Sequence, residues 1–332
     1  MLPSYLLITL DSCRYDVFAG ARAPAMTGRG SVLEALTPAS YTYPAHLSIF
    51  QGMTPDCREP FPFYNRFVTQ LWRCPLRPDD PSRALAGAPD PAVFCTVPGG
   101  SKNVPLGLAS MGYRTIGAGA MGWMRHPWIK KGFDVYRYTG VGAERQIAFA
   151  REQIDQAGEG PVFVFLNLGE THAPYVLGDG TAPDRARSAA PLLAEYQRRK
   201  REQRPDPAYT TCFACFDRQR AAVEHLDGLL DGLFSQMEAR FPATVLMICG
   251  DHGDAMGEDN LWGHGFTHPK VMSVPLIVGE LGRERVLAPL HACAERIAAA
   301  SRRGIAASLA EEQALRSPEH RRARGLLVRE AC

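Results

Sequence analysis

The chain lacks most of the features that assign a protein quickly. It has no strong charge of one sign: 37 Lys and Arg stand against 35 Asp and Glu, a formal net charge of +2 at pH 7. A molecule so nearly balanced has no long-range field of the kind that gathers nucleic acid. No apolar run approaches the roughly 18 residues of a membrane helix. The first residues, Met1-Leu2-Pro3-Ser4-Tyr5, lead directly into a strand-like segment, without the charged region and cleavage site of a secretory leader. The nine cysteines are scattered and odd in number, which does not suit a disulfide framework. Cys212-Phe213-Ala214-Cys215 has no second CxxC to complete a zinc site, and reads as buried or helix-start cysteines. There is no internal repeat. These absences predict a soluble, cytoplasmic protein without nucleic-acid or membrane partners.

What is present is a chain of 332 residues with 45% apolar content, long enough for one or two domains at about 150 residues each. Residues 5–10 form a continuous apolar run that stops at Asp11, the pattern of a strand buried on both faces. Residues 113–117, 162–168, 244–249 and 274–278 read as further strands. A helix is predicted over 42–53, with Pro44 in its first turn, and a short one ends at Gly112. Another covers 216–239, where Ala222, Leu226, Leu229, Leu230 and Leu233 share a face. Residues 55–104 and 179–208 read as variable loops. Residues 286–332 form an Ala/Arg/Leu/Glu-rich helical extension, suited to packing or to a homodimer. Alternation of strands and helices implies an α/β fold with a mostly parallel central sheet and helices on both faces.

In such sheets the site lies beyond the carboxyl ends of the strands. Asp11 and the pair Asp251-His252 both follow strand ends, so they can meet in space. Carboxylate and imidazole together suit a divalent metal such as Zn or Mn. Thr42, at a helix start, can add an oxygen, and helix-terminal N–H groups favour a nearby anion. Each residue has an ordinary reading alone: Asp11 as a turn or cap residue, Asp251-His252 as turn chemistry, Thr42 as an N-cap.

Their order along the chain resembles the alkaline phosphatase superfamily in its sulfatase-like branch. "LLITLDSCRYD" resembles the opening strand and metal aspartate, and "SYTYPAHLSIFQGMTP" the nucleophile segment. "MGYRTIGAG", "FVFLNLGETHAPY" and "FDRQRAAVEHLDGLLDGL" resemble the blocks that follow. "ICGDHGDAMGEDNLWGHG" and "VPLIV" resemble the closing metal motif and last strand. The resemblance implies an alkaline-phosphatase-like three-layer sandwich over residues 1–285. It implies that Asp11, Asp251 and His252 bind metal, that Thr42 is the nucleophile and also touches the metal, and that His172 and His264 contact the oxyanion or leaving group. His268 and Lys270 lie nearby in sequence.

Three departures shape the expected chemistry. Sulfatases mature a Cys or Ser to formylglycine, and Thr42, with its β-methyl group, cannot yield that aldehyde; His46 also replaces the maturation arginine. Asp11 is followed by Ser12 rather than a second aspartate, and only Glu170 and His172 are at hand for a second metal. One ion is therefore expected, Zn or Mn, with Mg or Ca as alternatives. The family lysine after the Gly-Tyr-x-Thr strand is missing from Gly119-Ala120-Met121-Gly122, leaving Lys102, Arg125 or Lys130 as substitutes. The basic run 198–201 reads either as a solvated helix face or as a lid that attracts an anion. Tyr64, Phe67, Trp72, Trp123 and Trp128 either line a leaving-group pocket or cover the core. The expected activity is hydrolysis of a small anionic phosphoric ester through a phospho-threonine. A phosphoryl transferase or mutase, a sulfatase-like protein without formylglycine, and a silent binding protein are the alternatives.

Overall fold

A run such as Leu6-Leu7-Ile8 with apolar side chains on alternate faces is stable only where both faces are covered. In the computed structural model, which describes residues 2–51, 71–75, 92–96, 103–175, 183–266 and 268–286, this strand stands at the centre of the sheet. The elements are β1 (Ser4–Leu10), α1 (Tyr15–Ala19), α2 (Pro24–Thr27), β2 (Leu33–Leu36), α3 (Thr42–Gln51), β3 (Leu71–Pro75) and β4 (Ala92–Thr96). There follow α4 (Val104–Ser110), β5 (Arg114–Gly119), α5 (Pro127–Lys130), β6 (Val135–Tyr138), α6 (Ala143–Asp155), β7 (Val162–Leu168) and α7 (Pro183–Glu202). The described chain closes with α8 (Phe213–Arg240), β8 (Ala243–Gly250), β9 (Ala255–Met256), β10 (Trp262–Gly263), α9 (Pro269–Met272) and β11 (Ser273–Gly282).

Among the described residues the main sheet has seven strands in the order β2-β11-β8-β1-β7-β5-β6. β1 runs parallel to both β7 and β8, and β5 runs parallel to β7 and β6. β11 is antiparallel to β8 and β2, so the sheet is mostly parallel, as expected. Strand pleating sends alternate residues to opposite faces. Leu6, Ile8 and Leu10 of β1 and Val162, Val164, Leu166 and Leu168 of β7 join one core with Ile147 and Ile154 of α6 and Leu226, Leu230 and Leu233 of α8. On the other face Leu7, Phe163 and Phe165 pack with Tyr43, Leu47 and Phe50 of α3. These two layers of helix around the sheet form the three-layer sandwich.

The sequence-based expectation is corrected in two regions. Residues 183–202, taken as part of a loop, form helix α7, stabilised by Arg198 and Arg199 paired with Glu195 and Glu202 three or four residues away. Within the expected 55–104 loop, β3 and β4 pair as antiparallel strands. The remainder of that loop, and the helical extension beyond residue 286 with its expected dimer contact, lie outside the described residues. No described helix is long and apolar enough to cross a membrane.

Candidate active site

The register of the sheet creates the site. Leu10 of β1 is level with Leu168 of β7 and with Gly250 of β8. The residues that follow, Asp11, Gly169 to His172, and Asp251-His252, therefore leave the sheet side by side. Gln219 of α8 ties these exits together: its amide donates to the carbonyls of Ser12 and Thr171 at 2.9 and 2.8 Å and accepts from the Arg14 N–H at 3.2 Å. Gly253 allows the loop after His252 to turn inward, because a side chain there would meet the carbonyl of Lys270.

Asp11, Asp251 and His252 are fully buried and offer one ligand atom each, all within 4.8 Å of one another. Thr42 begins α3 beside them. Its Oγ1 lies 3.3 Å from Asp11 Oδ2 and 3.3 Å from His252 Nε2. Burial raises the Asp11 carboxyl to about 7, with the neighbouring Asp251 adding to the effect, and burial also raises Asp251 to about 7. Burial pushes the imidazolium form of His252 down.

These groups fit a divalent cation on the structure's own terms. Asp251 Oδ1 accepts from the N–H groups of Ser12 and His252 at 3.0 and 2.9 Å, while its Oδ2 is buried without a hydrogen-bond partner among the described residues. His252 Nδ1 donates to the carbonyl of Gly253 at 2.8 Å, which leaves the Nε2 lone pair turned to the carboxylates, 3.6 Å from Asp251 Oδ2. A ligating imidazole is commonly fixed by such a bond at its other nitrogen. Two buried carboxylates also need a compensating positive charge.

Behind the cluster runs a buried polar chain that sequence reasoning missed. Asn167 of β7 donates to Asp11 Oδ2 and to Thr9 Oγ1, both at 3.2 Å. Thr9 Oγ1 meets His46 Nε2 at 2.8 Å, and His46 Nδ1 meets the Thr42 carbonyl at 2.7 Å. The chain is satisfied when His46 is neutral, and burial pushes its pKa down to about 4. His46 thus links the first turn of α3 to Asp11 through Thr9 and Asn167. The signal was available in the alternation: Thr9 and Asn167 are polar residues in otherwise apolar strands and face the same side of the sheet.

His264 and His172 complete the site. The His264 ring lies 4.4 Å from His252 and 5.3 Å from His172, centre to centre. His264 Nδ1 meets Asp254 Oδ1 at 3.0 Å, and the Tyr196 hydroxyl of α7 donates to Asp254 Oδ2 at 2.6 Å. Burial would raise the Asp254 carboxyl, but His264, His172 and Tyr196 hold it below the usual range. Burial and the neighbouring His252 push His264 down to about 3, so it is a neutral group here. His172 Nδ1 donates to the Ala173 carbonyl at 2.6 Å. Asp254 and Tyr196 were not foreseen.

Other candidates take up structural positions. Arg14 is buried, held bidentately by Asp16 at 2.9 and 2.7 Å and by Glu258 at 2.7 Å. Lys270 pairs with Asp16 at 2.7 Å, and His268 accepts from the Lys270 N–H. Glu170, considered for a second metal, accepts from the Ala143 N–H at the start of α6. Arg125 lies over the Tyr138 ring. Trp123 stacks on Tyr43, the neighbour of Thr42, at 5.3 Å, and Trp128 carries Lys131 on its face. Lys102, Tyr64 and Phe67, and the side chain of Trp72, lie outside the described residues.

Comparison with known proteins agrees with this architecture. A family model described as Sulfatase matches residues 96–280. The yidJ protein of Bacteroides fragilis, a candidate sulfatase, superposes with a TM-score of 0.55 at 16% identity, over 83% of this chain and 68% of its own. Ps i-CgsB in complex with k-i-k-neocarrahexaose gives 0.52 at 16% identity, over 84% of this chain and 66% of that one. The phosphonate monoester hydrolase of Agrobacterium radiobacter gives 0.49 at 13% identity, over 83% and 68%. The chain thus spans about two thirds of the length of these proteins. No curated protein matches it. With a family match over more than half of the chain, on a sheet that gathers the metal-type residues at its strand ends, the protein belongs to the Sulfatase family.

Proposed function

We propose that the protein is a metal-dependent hydrolase of phosphoric esters of small metabolites, acting through a covalent phospho-threonine on Thr42. The observation that carries this reading is the position of Thr42 Oγ1, 3.3 Å from both Asp11 Oδ2 and His252 Nε2 at the first turn of α3. A threonine at the nucleophile position cannot become formylglycine, which turns the reading from sulfate esters toward phosphoryl or phosphonyl groups. The first N–H groups of α3 favour an anion at its start. Asp11, Asp251, His252 and Thr42 would hold one divalent cation, which when bound supplies positive charge to the phosphoryl oxygens and favours the deprotonated Thr42 hydroxyl. The imidazole and carboxylate donors suit Zn or Mn, with Mg or Ca as alternatives. Four described cysteines, Cys13, Cys212, Cys215 and Cys249, are free thiols, which supports placing the enzyme in the reducing cytoplasm.

In the first step Thr42 Oγ1 attacks phosphorus in line with the leaving oxygen. The Oγ1–P bond forms as the ester P–O bond breaks, and the leaving oxygen takes a proton from the imidazolium form of His172, with the neutral His264 ring beside it. Water then attacks phosphorus, gives its proton back to His172, and the Oγ1–P bond breaks. His46, through the Thr42 carbonyl, and Asn167, through Asp11, hold the nucleophile in line during both steps. An alcohol entering in place of water would make the same site a transferase.

The test uses metal-stripped protein with Zn, Mn, Mg and Ca restored singly. Hydrolysis of p-nitrophenyl phosphate, phosphodiester, phosphonate and sulfate esters is measured with Thr42→Ala in parallel. Metal-dependent turnover of a phosphorus ester that vanishes in Thr42→Ala, with a phosphate adduct on Thr42 by mass spectrometry, is expected. Turnover of the sulfate ester alone, or activity retained in Thr42→Ala, overturns the assignment.

A further inference from the structure

The basic run 198–201 divides into two kinds of residue once α7 is in place. Arg198 pairs with Glu195 at 2.7 Å and with Glu202 at 2.6 Å, and Arg199 pairs with Glu195 at 2.7 Å. Arg201 is exposed. Lys200 is different. It lies on the helix face that also carries Tyr196 and Gln203, spaced by four and three residues as one helical stripe requires. Tyr196 meets the Trp262 ring edge-on at 5.8 Å and donates to Asp254 at 2.6 Å. Gln203 Oε1 accepts the Trp262 N–H at 2.6 Å. Between these two anchors the Lys200 side chain crosses Gly263, the residue immediately before His264. A Cβ on Gly263 would come 2.8 Å from Lys200 Nζ and 2.9 Å from its Cε. Gly263 also has φ +88°, so both the backbone and the lysine above it call for glycine.

The Lys200 side chain is thus partly buried across Gly263, the residue before a histidine whose ring stands 4.4 Å from His252. Among the described residues no carboxylate lies within ion-pair distance of the ammonium. A partly buried cation held beside an anion-binding site without its own carboxylate is complementary to a charge that arrives from outside.

Resting on the phosphoric-ester reading above, we infer that Lys200 binds the anionic group of the substrate and selects the doubly charged monoester over the singly charged diester. A dianion gains more from a nearby ammonium than a monoanion does. A positive side chain at the site thereby comes from a helix far along the chain, and α7 becomes part of the substrate site through its Tyr196, Lys200 and Gln203 stripe.

The experiment compares wild type with Lys200→Gln, Lys200→Arg and, as an exposed control, Arg201→Gln, all metal-loaded. It reads kcat and KM for p-nitrophenyl phosphate and for a methyl p-nitrophenyl phosphodiester, and separately the affinity for inorganic phosphate by calorimetry. Loss of a hydrogen bond to a charged group predicts a fall in monoester kcat/KM of roughly 10- to 100-fold in Lys200→Gln. The diester should fall several times less, phosphate affinity should drop with the monoester, and Lys200→Arg should recover part of each. Arg201→Gln should match wild type. Lys200→Gln should unfold at the wild-type temperature, because among the described residues Lys200 makes no ion pair to lose. An unchanged monoester-to-diester ratio with unchanged phosphate affinity overturns the inference and leaves the hydrolase reading standing. If wild type hydrolyses neither ester, the hydrolase reading fails. Phosphate binding then decides alone: weakening in Lys200→Gln supports the anion site, and equal affinity or no binding to wild type overturns it.

Discussion

Removing divalent cations should make the stability of this protein fall as the pH rises from about 5 to 7. Asp11 and Asp251 are fully buried next to each other, and burial carries each carboxyl from 3.8 to about 7. Between those values the unfolded chain has released protons that the folded cluster still holds. The folded state then binds more protons, so the slope of stability against pH is negative. The effect is absent below about 3.8, grows through the interval, and is fully developed above about 7. A displacement of that size for one carboxyl corresponds to roughly 4 kcal/mol at 1.36 kcal/mol per unit. The two carboxyls are coupled, so the second does not simply double the figure. A cation held by the ionised pair reverses the penalty, and the loaded protein should keep its stability at pH 8. The assay is urea denaturation at pH 5, 6, 7 and 8, followed by circular dichroism, in chelator and in excess Zn or Mn. Asp251→Asn serves as the internal reference, because it cannot ionise and the groups other than Asp11, which is coupled to Asp251, cancel in the difference. In chelator its profile should be shallower by close to one proton across this range, and at pH 8 the variant should be the more stable protein. Parallel profiles for the two proteins in chelator would refute the reasoning, as would a stripped wild type no less stable at pH 8 than at pH 6.

Two further outcomes follow from buried polar groups. Arg14→Ala leaves Asp16 to Lys270 and strips the mostly buried Glu258 of its cation, and should cost about 3 kcal/mol in denaturant melts, the low end of the range for breaking a buried pair from one side; Arg14→Lys should recover only part, since an ammonium cannot make the bidentate contact. Asn167→Ala removes the donor to Asp11 and to Thr9 without touching a ligand atom, and a metal titration should show affinity roughly 10- to 100-fold weaker, with the far-ultraviolet spectrum unchanged.

Much of the fold was legible because the central strands are buried on both faces. Residues 162–168 could be read as a strand at its observed limits because every position there is buried. Helix α8 was visible through the spacing of Leu226, Leu230 and Leu233, all of which reach the core. Elements with weaker local signals were not read. β2 is a four-residue edge strand with one buried position. α6 begins at Gly142 without a capping side chain, so its start carries no mark, although Glu170 supplies the cap from another strand end. α7 was read only at its end, where the basic run 198–201 fitted a solvated helix face; the rest of the segment is too polar to mark a buried helix face, and it was placed in a loop.

The site divides along the same line. Asp11, Asp251 and His252 stand directly after apolar runs, and a parallel sheet brings such ends together whatever lies between them. Thr42 was marked by a helix start, and the family resemblance tied it to the other three. The groups that orient these residues follow a different logic. Thr9, Asn167 and His46 are each unremarkable alone, and become a chain only when β1, β7 and α3 face one another. Tyr196, Lys200 and Gln203 lie more than fifty residues before Asp254, Trp262 and Gly263, and the tie between them is a helix stripe crossing a two-residue strand. A strand end has a fixed place in an α/β fold and is therefore readable from a short window, whereas a helix laid across the strand ends is placed by side-chain packing at long range. For that reason the ligand-type residues of this protein can be found in its sequence, while the residue that we infer sets substrate charge can be found only in its structure.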